Sequence, residues 1–135
     1  MKDDFDDDVT PKEDLPTEVA DKLKASFGEF AAVKTTAGWV AMKCPRKATY
    51  DRYHAMLYKE AERAPAQEFI SKACIIYANG VFADAEDEKG GQLQVRAAFS
   101  AMLDKKPGII SACANCALEA AGVDSEATTK KYGAS

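Results

Sequence analysis

Gly38 to Tyr58 reads GWVAMKCPRKATYDRYHAMLY, and this stretch decides the fold. Its first part, Trp39-Val40-Ala41-Met42-Lys43-Cys44, has strand composition. Pro45 has no N–H for a sheet ladder and suits the start of a helix. An aromatic amphipathic pattern begins at once. The stretch holds the single tryptophan, Trp39, and the single histidine, His54. It also holds three of the five tyrosines, Tyr50, Tyr53 and Tyr58. The pattern predicts a strand-to-helix corner, with a helix from Lys47 to Arg63. Tyr50, Tyr53, Leu57 and Ala61 fall on one face of that helix, with His54 and Tyr58 at its borders. Pro65 is expected to break it.

Upstream, Glu29–Lys34 (EFAAVK) is a second strand candidate, and Thr35-Thr36-Ala37-Gly38 is a turn. Strand, turn and strand predict a small hairpin, which needs a helix or a third strand over it to be stable. Before it, Val19, Leu23 and Phe27 recur every four residues and predict a short helix over Thr17–Phe27. Thr17 serves as N-cap and Gly28 as stop. Downstream, Ala66–Ala73 is a second helical piece with Phe69, Ile70 and Ala73 inward. Cys74-Ile75-Ile76-Tyr77 is a third strand candidate, and Asn79-Gly80 is a turn. Ala85–Gly91 is a charged loop. Gln92–Asp104 is a helix with Val95, Phe99, Met102 and Leu103 on one face. Lys105-Lys106 closes it, matching the negative end of the helix dipole. Pro107 and Gly122 bracket a last helix. From Gly108 to Leu118 this segment carries no charge, so it must be buried most of the way round by the fold or by a partner.

These elements predict an α+β, mostly α-helical domain. A small β-hairpin or three-stranded sheet is packed by four to five helices over residues 17–122. Residues 1–16 (MKDDFDDDVTPKEDLP) are an acidic arm and residues 123–135 a polar tail. The arm is either a solvated tail or a segment that orders on a basic partner or a neighbouring subunit.

A chain of 135 residues with 47% apolar content can bury one core without staples. Its net charge of −4 is unevenly spread. Residues 1–30 hold ten Asp/Glu against four Lys/Arg, a net of −6, and residues 31–135 carry +2. A broad basic face for nucleic acid is disfavoured. The Asp-rich start lacks the apolar stretch of a signal peptide, and no apolar run reaches the roughly 20 residues that span a bilayer. These features predict a soluble intracellular protein with no membrane partner. Its four cysteines are then expected reduced.

Cys113-Ala114-Asn115-Cys116 is the one motif with chemical content. A redox pair sits at a helix N-terminus, where the dipole lowers a thiol pKa, but this pair falls inside the last predicted helix. A zinc site would need Cys44, Cys74 or His54 to converge on it. Cysteines three apart on an apolar face otherwise simply pack. His54 alone defines neither base nor ligand. Asp84-Ala85-Glu86-Asp87-Glu88 lacks the glycine and ligand ladder of a calcium loop. Gly90-Gly91 is a hinge without a phosphate-loop pattern, and no GxSxG, HExxH or Walker sequence occurs. No catalytic residue, cofactor or metal ligand is assigned, and a non-enzymatic protein is expected.

One order of motifs remains. Cys44-Pro45-Arg46-Lys47-Ala48-Thr49-Tyr50 leads an aromatic helix. An apolar piece ends at Tyr77, with Val81-Phe82-Ala83-Asp84 after it. Then come Lys106-Pro107-Gly108-Ile109-Ile110 and a closing Leu118-Glu119-Ala120-Ala121-Gly122. Over residues 38–122 this resembles the small tail assembly chaperones of long-tailed bacteriophages. In that family Arg-Pro-Ser/Thr-Arg-x-x-Tyr opens the aromatic helix and Pro-Gly opens the last one. Cys44 stands where arginine is usual. Arg46 stands where a Ser/Thr cap is usual, which implies a poorer cap.

The resemblance implies a non-enzymatic assembly factor that coats the tape-measure protein and recruits tail-tube subunits. It would work in the host cytoplasm, remain with the virion in some cases, and self-associate. Trp39, Tyr50, Tyr53, Tyr58, Ile109 and Ile110 would be its partner contacts. The family also often makes a longer product by frameshifting, and Thr129-Lys130-Lys131 is compatible with a slippery site. Two alternatives stand beside it. One is a virion or accessory protein docking through its acidic arm. The other is a small metal- or redox-linked domain using Cys113 and Cys116.

Overall fold

The computed structural model describes residues 15–84, 90–122 and 130–132. The acidic arm through residue 14, most of the charged loop, and residues 123–129 and 133–135 of the tail lie outside the described residues. In chain order the elements are α1 (Thr17–Phe27), β1 (Phe30–Thr35), β2 (Gly38–Met42), α2 (Lys47–Leu57), α3 (Glu60–Cys74), β3 (Ile75–Ala78) and β4 (Val81–Phe82). There follow α4 (Gly90–Lys105), a 3-10 turn (Pro107–Ile109), α5 (Ile110–Ala120) and β5 (Lys130–Tyr132). The chain is therefore α+β and mostly helical. Its antiparallel sheet has the order β4-β3-β2-β1-β5. Beyond the expected hairpin and third strand, the short strands β4 and β5 widen it. β5 is drawn from the segment expected to be a polar tail, and it pairs with Phe30–Ala32.

The β1–β2 hairpin closes on Thr36-Ala37, with Thr35 opposite Gly38. The Thr35 hydroxyl donates to the Gly38 carbonyl at 2.6 Å and accepts the Ala37 N–H at 3.1 Å, which fixes the turn. Gly38 has φ +128°, and a Cβ there would lie 2.6 Å from Asn79 Oδ1. Glycine is required there both by its backbone conformation and by the close approach of the next turn. That next turn is Asn79-Gly80, joining β3 to β4, and both of its residues have positive φ. This is the arrangement that a tight two-residue hairpin with right-handed strand twist demands.

Phe30, Ala31, Ala32 and Val33 are buried in succession, as are Ile75 to Ala78. Successive strand residues point to opposite faces, so both faces of the sheet are covered there. α5 packs on β1 and β2, and α4 packs on β3 and β4. α1 also contacts β1. Its Lys22 Nζ reaches 4.1 Å from the Phe82 ring on β4.

The expected stripe of α1 is seen, with Ala20 and Leu23 buried and Val19 and Phe27 packed against the core. Thr17 is its first helical residue and not its cap. Pro16 takes the cap position, and it makes no side-chain cap hydrogen bond. Gly28 ends α1 with φ 78°, its N–H donating to the Lys24 carbonyl at 2.9 Å.

The helical region after the corner differs from expectation. The break falls at Tyr58-Lys59, and α3 runs on through Pro65. Lys59 is extended, at φ −111° and ψ 117°. Arg63 Nε donates to the Leu57 carbonyl at 3.0 Å, so a side chain of α3 satisfies a carbonyl that the end of α2 leaves open. An Arg52–Glu62 ion pair at 3.4 Å also ties the two helices. Pro65 costs one backbone bond, and its exposed position near the start of α3 makes that loss tolerable. α4 begins at Gly90, so Gly90-Gly91 is the first turn of a helix and not a hinge before it. Val95, Phe99 and Met102 are buried as their spacing predicts.

Candidate docking surfaces

Position decides what each candidate residue can touch. The tyrosines of α2 separate cleanly. Tyr53 is only 6% exposed and belongs to the core, and burial raises its hydroxyl pKa, helped by neighbouring Tyr50. Tyr50 is half-buried and meets the His54 ring edge-on at 4.6 Å. Tyr58, just past the last turn of α2, is 84% exposed. Tyr50, His54 and Tyr58 recur at i, i+4 and i+8, and α2 leaves this stripe accessible. Beside it, Lys47 and Asp51 form an exposed ion pair at 2.8 Å, which raises the Lys47 pKa through that hydrogen bond. As the replaced cap residue implies, Arg46 gives α2 no side-chain cap.

The other expected contacts also divide. Trp39 is half-buried on β2, opposite Lys34 of β1. Ile109 is buried at 6% exposure, while Ile110 is half-buried at the start of α5. Tyr53 and Ile109 therefore serve packing, because reaching a partner would require opening the core. Tyr50, Tyr58, Trp39 and Ile110 remain within reach of one.

The cysteines are arranged for packing. Cys74, Cys113 and Cys116 are buried, Cys44 is exposed, and all four are free thiols. Burial pushes Cys74 and Cys113 up to about 12. For Cys74, proximity to Cys44 adds to the rise and Lys43 opposes it. Burial also raises Cys116 well above the ordinary thiol value, and neighbouring Cys113, Cys74 and Glu119 add to that. A nucleophilic or redox-active thiol needs the opposite shift. Among the described residues, no group of three or more His, Cys, Asp or Glu side chains could hold a metal ion. Of the acidic loop, only Asp84 lies within them. Among the described residues, no helix is long and apolar enough to cross a membrane.

A second surface has no counterpart in the sequence reading. Two adjoining cavities of about 390 and 540 Å³ share Thr36, Lys105 and Lys106. Ala98, Ala101 and Met102 of α4 line the first, and Pro107, Ile109 and Ala112 line the second. The β1–β2 turn borders both, and no carboxylate is among the lining residues. Sequence reasoning missed this groove because its walls come from the hairpin turn, the Asn79 turn and the α4–α5 junction. The Lys105-Lys106 pair was its only local signal, and a helix dipole already accounts for that pair.

No protein family, curated protein or solved structure matches the chain.

Proposed function

We propose that the chain is a non-enzymatic assembly factor of the tail assembly chaperone type. It holds a tape-measure-type helical protein, and tail-tube subunits, through the aromatic face of α2. The observation that carries this reading is the accessible Tyr50–His54–Tyr58 stripe, one side of a helix with a polar rim at Lys47 and Asp51. Aromatic rings give large contact area for little lost side-chain freedom, and they dominate binding energy in many interfaces. A helical partner would be met by residues spaced one turn apart, which is the spacing of this stripe. Half-buried Trp39 and Ile110 supply further apolar contact. The resemblance over residues 38–122 supplies the identity of the partner class.

In this account the protein acts in the host cytoplasm before the tail polymerises. Co-expression with a long tape-measure-type helical protein tests the reading. The wild-type chain should bring that protein into the soluble fraction, and the Tyr50→Ala/Tyr58→Ala variant should fail to do so while keeping its fold. A partner that stays insoluble with the wild-type chain would contradict the reading. Mass spectrometry of purified particles distinguishes a chaperone, absent from them, from a virion component.

A further inference from the structure

The groove at the α4–α5 junction is basic at its rim and apolar in its walls. Lys105 and Lys106 are exposed, and among the described residues neither ammonium makes an ion pair. Their place at the end of α4 suits the helix dipole, but that alone does not explain an apolar cleft running beneath them. With about 390 and 540 Å³, the two cavities fall in the size range that accepts apolar side chains or a small ligand. An occupant should therefore carry negative charge with apolar residues set among it.

The chain itself contains such a segment. Asp3-Asp4-Phe5-Asp6-Asp7-Asp8-Val9 places five carboxylates around Phe5 and Val9. We propose that this N-terminal segment docks in the groove of its own chain. Phe5 seats against the apolar walls at Ala98, Ala101 and Pro107, and the aspartates meet Lys105 and Lys106. Reach permits it. Leu15 is buried and anchors the end of the arm. The ten residues from Phe5 to Leu15 can span about 33–36 Å. A domain of this length is on the order of 35–40 Å across, so the segment can cover a large part of the surface around its anchor. The charge distribution agrees, because the first 30 residues carry −6 while the remainder carries +2. This inference stands apart from the tail-assembly reading and does not use the α2 stripe.

Amide NMR on the full-length protein tests it. The wild-type chain is compared with a full-length arm variant in which Asp3, Asp4, Asp6, Asp7 and Asp8 become Asn and Phe5 becomes Ala. Amide signals of Thr36, Ala37, Lys105, Lys106 and Gly108 should differ between the two proteins. The difference should vanish in about 1 M NaCl, where the screening length falls to about 3 Å. It should also vanish when both proteins carry Lys105→Glu/Lys106→Glu, and it should not change with protein concentration. Differences confined to the arm would overturn the proposal, and so would differences that survive the lysine reversal. Groove shifts that grow with concentration would assign the arm to a second copy and overturn docking within one chain.

Discussion

Two helices, α2 and α5, each concentrate residues that look chemical, and the fold treats them oppositely. α2 carries Tyr50, Tyr53, His54 and, at its end, Tyr58, and it leaves most of that set accessible. α5 carries Cys113 and Cys116 and buries both completely, between the sheet and α3. The difference comes from charge on the other faces. α2 intersperses Lys47, Asp51 and Arg52 among its aromatics, so one side must face water. α5 has no charge before Glu119, so the fold closes around it. Rarity of a residue type marks neither helix as a site; the cover supplied by distant elements does.

A buried charge would break this comparison most severely. Ala117→Asp places an unpaired carboxylate in a fully buried position of α5. It should remove more than about 3 kcal/mol of stability in urea denaturation. The matching Tyr58→Asp change should stay within about 0.5 kcal/mol. Similar losses for the two would erase the distinction.

Alkaline pH acts on the buried thiols. Burial holds Cys74 and Cys113 up to about 12, above the ordinary thiol value of 9.0. The unfolded chain therefore sheds these protons first as pH rises. Their contribution to stability is complete below pH 9.0 and is lost between 9.0 and about 12. The slope is about 1.4 kcal/mol per pH unit for each thiol. Urea melts across this range should show a shallower slope in Cys113→Ala than in the wild type. At neutral pH, replacing Cys113 and Cys116 by Ala should cost on the order of 1 kcal/mol each through lost packing. The circular dichroism spectrum should be unchanged. A defined activity lost with the fold intact would reassign the pair to chemistry. The smallest effect is expected at Tyr58→Ala, with thermal stability unchanged within measurement and loss confined to partner binding.

Much of the fold was readable where the signal is local. Val19, Leu23 and Phe27 defined α1, Asn79-Gly80 defined a turn, and the uncharged run after Gly108 announced a buried helix. Pro107 opens that region as a 3-10 turn before α5 begins. What escaped depends on distant partners. Phe30–Val33 does not alternate because both faces of β1 are covered, a fact set by helices elsewhere in the chain. Pro65 signalled a break, yet the break lies at Lys59, where Arg63 can reach the open Leu57 carbonyl. Lys130–Tyr132 reads as polar tail and becomes a strand only because β1 has an edge to pair. The candidate surface was half readable. Helical spacing found the aromatics of α2 but could not say that Tyr53 turns inward while Tyr58 turns out. Ile109 looked like a contact in an uncharged segment, and the fold uses it for packing.

The central claim is that the α2 stripe is a docking surface, and the most direct measurement is soluble yield of a long tape-measure-type helical protein on co-expression. The account predicts recovery with the wild-type chain and with Cys113→Ala/Cys116→Ala, and loss with Tyr50→Ala/Tyr58→Ala at unchanged thermal stability. Equal recovery with the tyrosine variant would contradict it.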